Sequence, residues 1–260
     1  MIPWKIISKK SLEVRALLKL VSIEFCKLRR KKQIWLMLLS AWIMPFFAFL
    51  YFGYLGQKDI DPAAFYKWSS YNYTLFIILP FVLGLFATML MHDENRYDML
   101  KQLWIVPVSK MGLLFSKFFV VLIYGICFML LNVFASILFS VLPHYVAFDW
   151  GDILRLLERS IEIAVLTAVA ILPVFALSAS QKGYIFPVCV TLIYVFAGVF
   201  ITPVNSCIHP LSCVFVIIAR NGTLSGFTLP QTNVSIAFIS LCIWGIASVL
   251  FANIKLSKRK

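Results

Sequence analysis

"MHDENRYDMLKQLWIVPVSKMG", Met91 to Gly112, is the stretch on which the fold turns. It separates two apolar runs, about Tyr71 to Met91 and about Met111 to Leu142, each long enough to cross a bilayer as a helix. Between them the chain places Asp93, Glu94, Arg96, Asp98 and Lys101, then an apolar end of Leu103, Trp104 and Ile105. Asp93 can cap a helix, with Glu94 in its first turn favoured by the dipole. Tyr97, Leu100, Leu103 and Trp104 then share one helical face, while Arg96, Lys101 and Gln102 lie off it. Val106 precedes Pro107, which biases Val106 to extended backbone, so the helix is expected to stop there. The expectation is a short amphipathic helix over 93–106. A loop that only marked one side of a membrane would need neither three acidic residues nor an exposed Trp-Leu end. An apolar patch ringed by mixed charge suits docking onto a soluble partner.

The rest of the chain fits that frame. Its 260 residues are 62% hydrophobic and only 13% charged, with a mean hydropathy of +0.91. Soluble domains carry roughly a quarter charged residues, so this is a polytopic membrane protein. Strands of a membrane barrel would alternate in polarity, so the spanning form is helical. Six runs qualify: about Ile34–Gly56, Tyr71–Met91, Met111–Leu142, Ile161–Ser180, Tyr184–Thr202 and Val234–Ile254. With the N-terminus inside, 19 Lys and Arg fall on inner segments against 5 on outer ones. That bias puts both termini in the cytoplasm. The net charge of +13 is thereby a topology signal facing membrane lipid, and no nucleic-acid partner is expected. Lys5, Lys9, Lys10, Arg15, Lys19 and Lys27 interrupt the first thirty residues, so no cleavable signal peptide is expected.

Two further segments carry pattern. Val14, Leu17, Leu18, Val21, Phe25 and Leu28 recur at helical spacing, opposite Arg15, Lys19, Ser22, Cys26 and Arg29. An amphipathic interfacial helix over 12–32 is expected, ending in the basic run "LRRKK" at the headgroups. Over 203–232, "CIHPLSCVFVIIAR" is apolar but too short to span, and Gly222, Gly226 and Pro230 break the chain after it. It reads as an outer re-entrant or interfacial segment before the last span. None of the six cysteines forms a C-x-x-C pair; Cys207 and Cys213 are read either as a disulfide or as two small apolar residues. No repeat or linker divides the chain, so 1–260 is taken as a single transmembrane domain.

No P-loop, H-E-x-x-H or G-x-S-x-G motif is present, and His92, His144 and His209 stand far apart. The spans are nearly bare of ionisable groups, so neither an intramembrane enzyme nor a proton-coupled carrier is expected. No catalytic, metal or cofactor site is expected on this chain. At the start of the fourth span, Arg155, Glu158, Arg159 and Glu162 fall at i, i+3, i+4 and i+7 on one face. They read either as a cluster satisfied against the bundle or as an outer polar lining that meets substrate.

The order of parts resembles the permease subunits of type-2 ABC exporters: basic helix, span, outer loop, span ending at an acidic residue, short helix, "PVSK", then "LLFSK" into the third span. The family's acidic residue corresponds to Glu94, its Pro-Val-Ser step to Pro107–Ser109 and the following basic residue to Lys117. The resemblance implies an all-α membrane protein with six spans, an N-terminal interfacial helix and a re-entrant segment before the last span. It also implies a coupling helix over 93–106 that docks on a separate cytoplasmic ATPase dimer through Glu94, Tyr97, Leu100, Leu103, Trp104 and Pro107. ATP and magnesium would belong to that partner, and a second copy or a similar permease would complete the transporter. The length and the short outer loops are similar to bacitracin-resistance and lantibiotic-immunity permeases. That implies export of an antimicrobial peptide from a bacterial cytoplasmic membrane. The alternatives are a permease for a drug, ion or glycan, and an immunity or assembly protein that does not transport.

Overall fold

The computed structural model describes residues 20–29, 31–55, 61–96, 110–181, 183–220 and 233–258, giving only the backbone of 93–96, 110 and 256–258. Every regular element among them is helical. α1 covers 20–29. α2 covers Lys32–Tyr54 and α3 Pro62–His92, which stays helical to Arg96. α4 covers Lys110–Val141, α5 Trp150–Ser180, α6 Ile185–Ile201, α7 Pro210–Ala219 and α8 Val234–Lys258.

Five of these, α2, α3, α4, α5 and α8, are long and apolar enough to cross a membrane. α6, expected as the fifth span, has 17 residues, about 25 Å of helix, at the short limit for a crossing. Three sequence expectations need correction. α3 starts at Pro62, nine residues before the expected Tyr71, because Asp61 caps the Ala63 N–H and Pro62 fits the first helical turn. α5 starts at Trp150, well before Ile161, because Asp149 accepts from the Asp152 N–H at 3.2 Å. Asp93 does not cap a new helix. It lies inside the continuous helix that ends α3 at Arg96.

Prolines shape the spans. Pro45 lacks the N–H that would bond the Ala41 carbonyl, and α2 tightens into a 3₁₀ turn at Ser40–Trp42 just before it. In α3, Pro80 follows a π-helical turn at Thr74–Ile78, and a second π turn covers Lys67–Tyr71. A proline ring crowds the carbonyl four residues back, and the widened turn makes room for it. α5 breaks at Ile171, two residues before Pro173, and Tyr194 of α6 donates its hydroxyl to the Ala170 carbonyl beside the break.

α3 is the central helix, most of its apolar length buried, whereas α2 and α8 lie at the periphery and are mostly uncovered by the rest of the bundle. Phe86 stacks on Tyr124 of α4, and Phe76 meets Phe215 of α7, both with ring centroids 4.0 Å apart. Gly84 of α3 sits against Thr191 of α6 so tightly that a β-carbon would collide with the Thr191 methyl. α7 is buried over Pro210–Ile218, wedged among α3, α5, α6 and α8. Its backbone polar groups therefore meet protein rather than lipid. Cys207 and Cys213 are free thiols; the Cys213 thiol donates to the Cys207 carbonyl at 3.3 Å.

Candidate functional site: two charged clusters at opposite ends of the bundle

The connector from α3 to α4 defines one end of the bundle. The α3 backbone at Glu94 is helical; Tyr97, Leu100, Leu103, Trp104 and Pro107 lie outside the described residues. The next motif residue, Lys117, lies two turns into α4 and is 1% exposed. Its ammonium donates to the Leu90 carbonyl of α3 at 2.8 Å and to Glu24 Oε2 of α1 at 3.4 Å. The other Glu24 oxygen accepts from Lys27 at 2.8 Å. A buried ammonium is tolerable only where such acceptors surround it.

Sequence reasoning missed Glu24. It is one of two acidic residues, with Glu13, in a basic stretch, and the expected apolar stripe ran through Phe25. In the structure Glu24 and Leu28 are buried while Phe25 is 38% exposed. The signal that could have found it was its position on the same face as Val21 and Leu28. A carboxylate there needs a buried cation, and Lys117 is the buried lysine that meets it. At the same end, the His92 and Tyr184 rings meet edge to face, bringing the start of α6 to the end of α3.

The far end holds the second cluster. Arg159 donates to Glu162 Oε2 at 2.7 Å, and Arg220, just past α7, donates to Glu162 Oε1 at 2.6 Å and to the Ile217 carbonyl. Glu162 thus bridges two arginines across α5 and α7. Arg155 pairs instead with Asp152 at 3.8 Å, and Glu158 is exposed with no ion pair among the described residues. Of the four residues expected on this face, the structure joins Arg159 and Glu162 directly. It adds Asp152, one turn before Arg155 on the same helix, and Arg220, which the spacing of α5 could not name as a partner.

Between the clusters lies neutral polar packing. Asn132 of α4 donates to the Ala41 carbonyl at 2.9 Å, the group that Pro45 leaves without its helical donor. Its side-chain oxygen accepts from Ser70 of α3 at 2.7 Å, and Ser70 also meets Ser136. Thr88 and Ser178 pair at 3.0 Å between α3 and α5. His209 opens α7, its Nδ1 accepting from the Leu211 N–H at 3.3 Å. Burial lowers the His209 pKa to about 4, which keeps that nitrogen free to accept. Toward the far end, Met44, Phe47, Ala48, Tyr51, Trp68 and Tyr73 line an apolar cleft of about 270 Å³ between α2 and α3, with Tyr51 and Trp68 stacked at 4.9 Å.

The chain matches the ABC-2 family transporter protein over residues 20–198, more than two-thirds of its length and from α1 through most of α6. It belongs to the ABC-2 family of transporter proteins. A search of curated proteins gives no match. The protein is therefore a multi-pass permease, a membrane transport subunit that is not itself catalytic, and its family associates with an ABC ATPase. The permease's matched region contains the connector, Glu24, Lys117 and the Arg159–Glu162 pair.

Proposed function

We propose that this permease is the transmembrane half of an ATP-driven exporter whose ATPase docks on the connector. The reading rests on one observation: the family match encloses a charged, helix-patterned connector between two buried helices. Both termini are cytoplasmic, which puts the connector and the Glu24–Lys117 cluster on the ATPase side. Glu94, Tyr97, Leu100, Leu103, Trp104 and Pro107 form the docking face, and ATP-driven closure of the ATPase pair moves the ends of α3 and α4. α6 completes the sixth crossing, the segment through α7 is the outer re-entrant element, and the chain acts as one transmembrane domain that works in pairs.

The substrate is an antimicrobial peptide of bacitracin or lantibiotic type, taken from the outer face of a bacterial cytoplasmic membrane. The aromatic cleft between α2 and α3 supports this, because it can take an apolar side chain or acyl tail from the outer half of the bilayer. The Arg159–Glu162–Arg220 cluster lies in the same half and forms a polar lining with Arg155 and Glu158.

Purification in mild detergent tests the reading. An ABC ATPase should accompany the permease, and cells expressing both should tolerate about tenfold more peptide, a gain of the size that 1.4 kcal/mol of differential work represents. Glu94→Lys and Trp104→Ala should keep membrane insertion and lose the protection. Full protection by both variants would sink the docking assignment. Protection against no peptide, with the ATPase still bound, would leave an exporter of another substrate.

A further inference from the structure

Lys117 touches three separate elements: its own α4, the end of α3 at Leu90, and α1 at Glu24. α3 and α4 are the helices that flank the connector. Whatever displaces the connector displaces these ends first. A contact made only of apolar side chains would let α1 slide past them at little cost, since dispersion contacts are re-formed wherever surfaces meet. A charge held at 1% exposure cannot slide in that way. Drawing the ammonium away from Glu24 would part a buried cation from a buried carboxylate, and separating such a pair costs more than re-forming apolar contacts. Lys27 fixes the Glu24 carboxylate from its open side at 2.8 Å, so the acceptor is aimed before Lys117 reaches it.

We propose that Glu24 and Lys117 are positioning residues that bind α1 to both ends of the connector, so that all three move as one piece during the transport cycle. This rests on the exporter reading above for the source of the movement, and on the geometry alone for the tether. α1 then relays the motion of the connector to α2, which follows it after the extended residue Lys31. The ion pair supplies the stiffness in that relay, and Glu94 and Trp104 supply the docking.

The test uses the exposed native cysteines Cys26 on α1 and Cys127 on α4 as spin-label sites, with the other four cysteines replaced. Single removal of either charge leaves the other buried with one counter-charge fewer and can prevent folding, so the decisive variant is the apolar double E24L/K117M. Replacing a buried pair by apolar residues of similar volume keeps folding intact in known cases. K117R serves as the conservative control. In lipid vesicles containing the permease alone, the starting protein and K117R should give one narrow Cys26–Cys127 distance, and E24L/K117M a distribution at least about twofold broader. In the complex with its ATPase, that distance should stay fixed on adding ATP and vanadate. In E24L/K117M it should change, and export should fall about tenfold while ATP hydrolysis continues. An equally narrow distance in the double variant overturns the tether. A distance that shifts with ATP in the starting complex overturns the rigid unit. The vesicle measurement needs no ATPase, so failure of the tether is read separately from failure of the exporter assignment, which absence of any co-purifying ATPase would reveal.

Discussion

At the scale of the residue, Asn132 and His209 show how this permease handles polar groups in an apolar setting. Asn132 satisfies the carbonyl that Pro45 orphans and accepts from Ser70 in the same plane of the bundle. Asn132→Ala should lower stability by about 1–3 kcal/mol, the cost of stranding buried hydrogen-bond partners, seen as a lower melting temperature in detergent. An unchanged melting temperature would mean that water replaces the amide. For His209 the sign follows from the lowered pKa of about 4. The fold favours the neutral ring, so its stabilisation is complete above the free value near 6.5 and drains away as pH falls from there toward 4. His209→Asn keeps a capping acceptor and should flatten the melting-temperature profile across that interval. The Asn132 amide was not legible in the sequence, because nothing in α4's pattern says which carbonyl in another helix lacks a donor. Glu162 was legible, because a carboxylate one turn beyond an arginine on a helix announces its own pair.

At the scale of the element, the long apolar helices followed from the hydropathy pattern, and their limits did not. α3 and α5 begin early because single caps at Asp61 and Asp149 extend them past the point where apolar periodicity fades. The π turn at Thr74–Ile78 makes room for the ring of Pro80, the turn at Lys67–Tyr71 has no such proline beside it, and no apolar periodicity reveals either. α7 is a ten-residue helix held in place by burial and by Arg220 at its end. Glu162→Gln removes the charge shared by Arg159 and Arg220. Because the group is partly exposed, the loss should be about 1 kcal/mol, detected as faster proteolysis after α7 with the other helices unaffected. Loss of the whole fold would instead show that the cluster supports the entire bundle.

At the scale of the whole molecule, the proposed six crossings, which would put 19 Lys and Arg inside against 5 outside, make a topological prediction. A protease site appended to either end should be cut in inside-out vesicles and spared in intact cells. Cleavage of either tag in intact cells would invert the arrangement and place the Glu24–Lys117 cluster on the wrong side for an ATPase. The membrane character and the family were legible from composition and from the order of parts. The cluster that joins α1 to the connector was not, because it depends on residues 93 positions apart meeting in space. The bond between Asn132 and Ala41 has a further meaning for descent. A lineage that replaced Pro45 would regain a backbone donor for Ala41, and the buried amide at 132 would lose its purpose. A lineage that first lost the amide would carry a bare carbonyl in hydrocarbon. Each change is harmful until the other accompanies it, so proline and asparagine should be inherited as a pair among relatives of this permease, or discarded together.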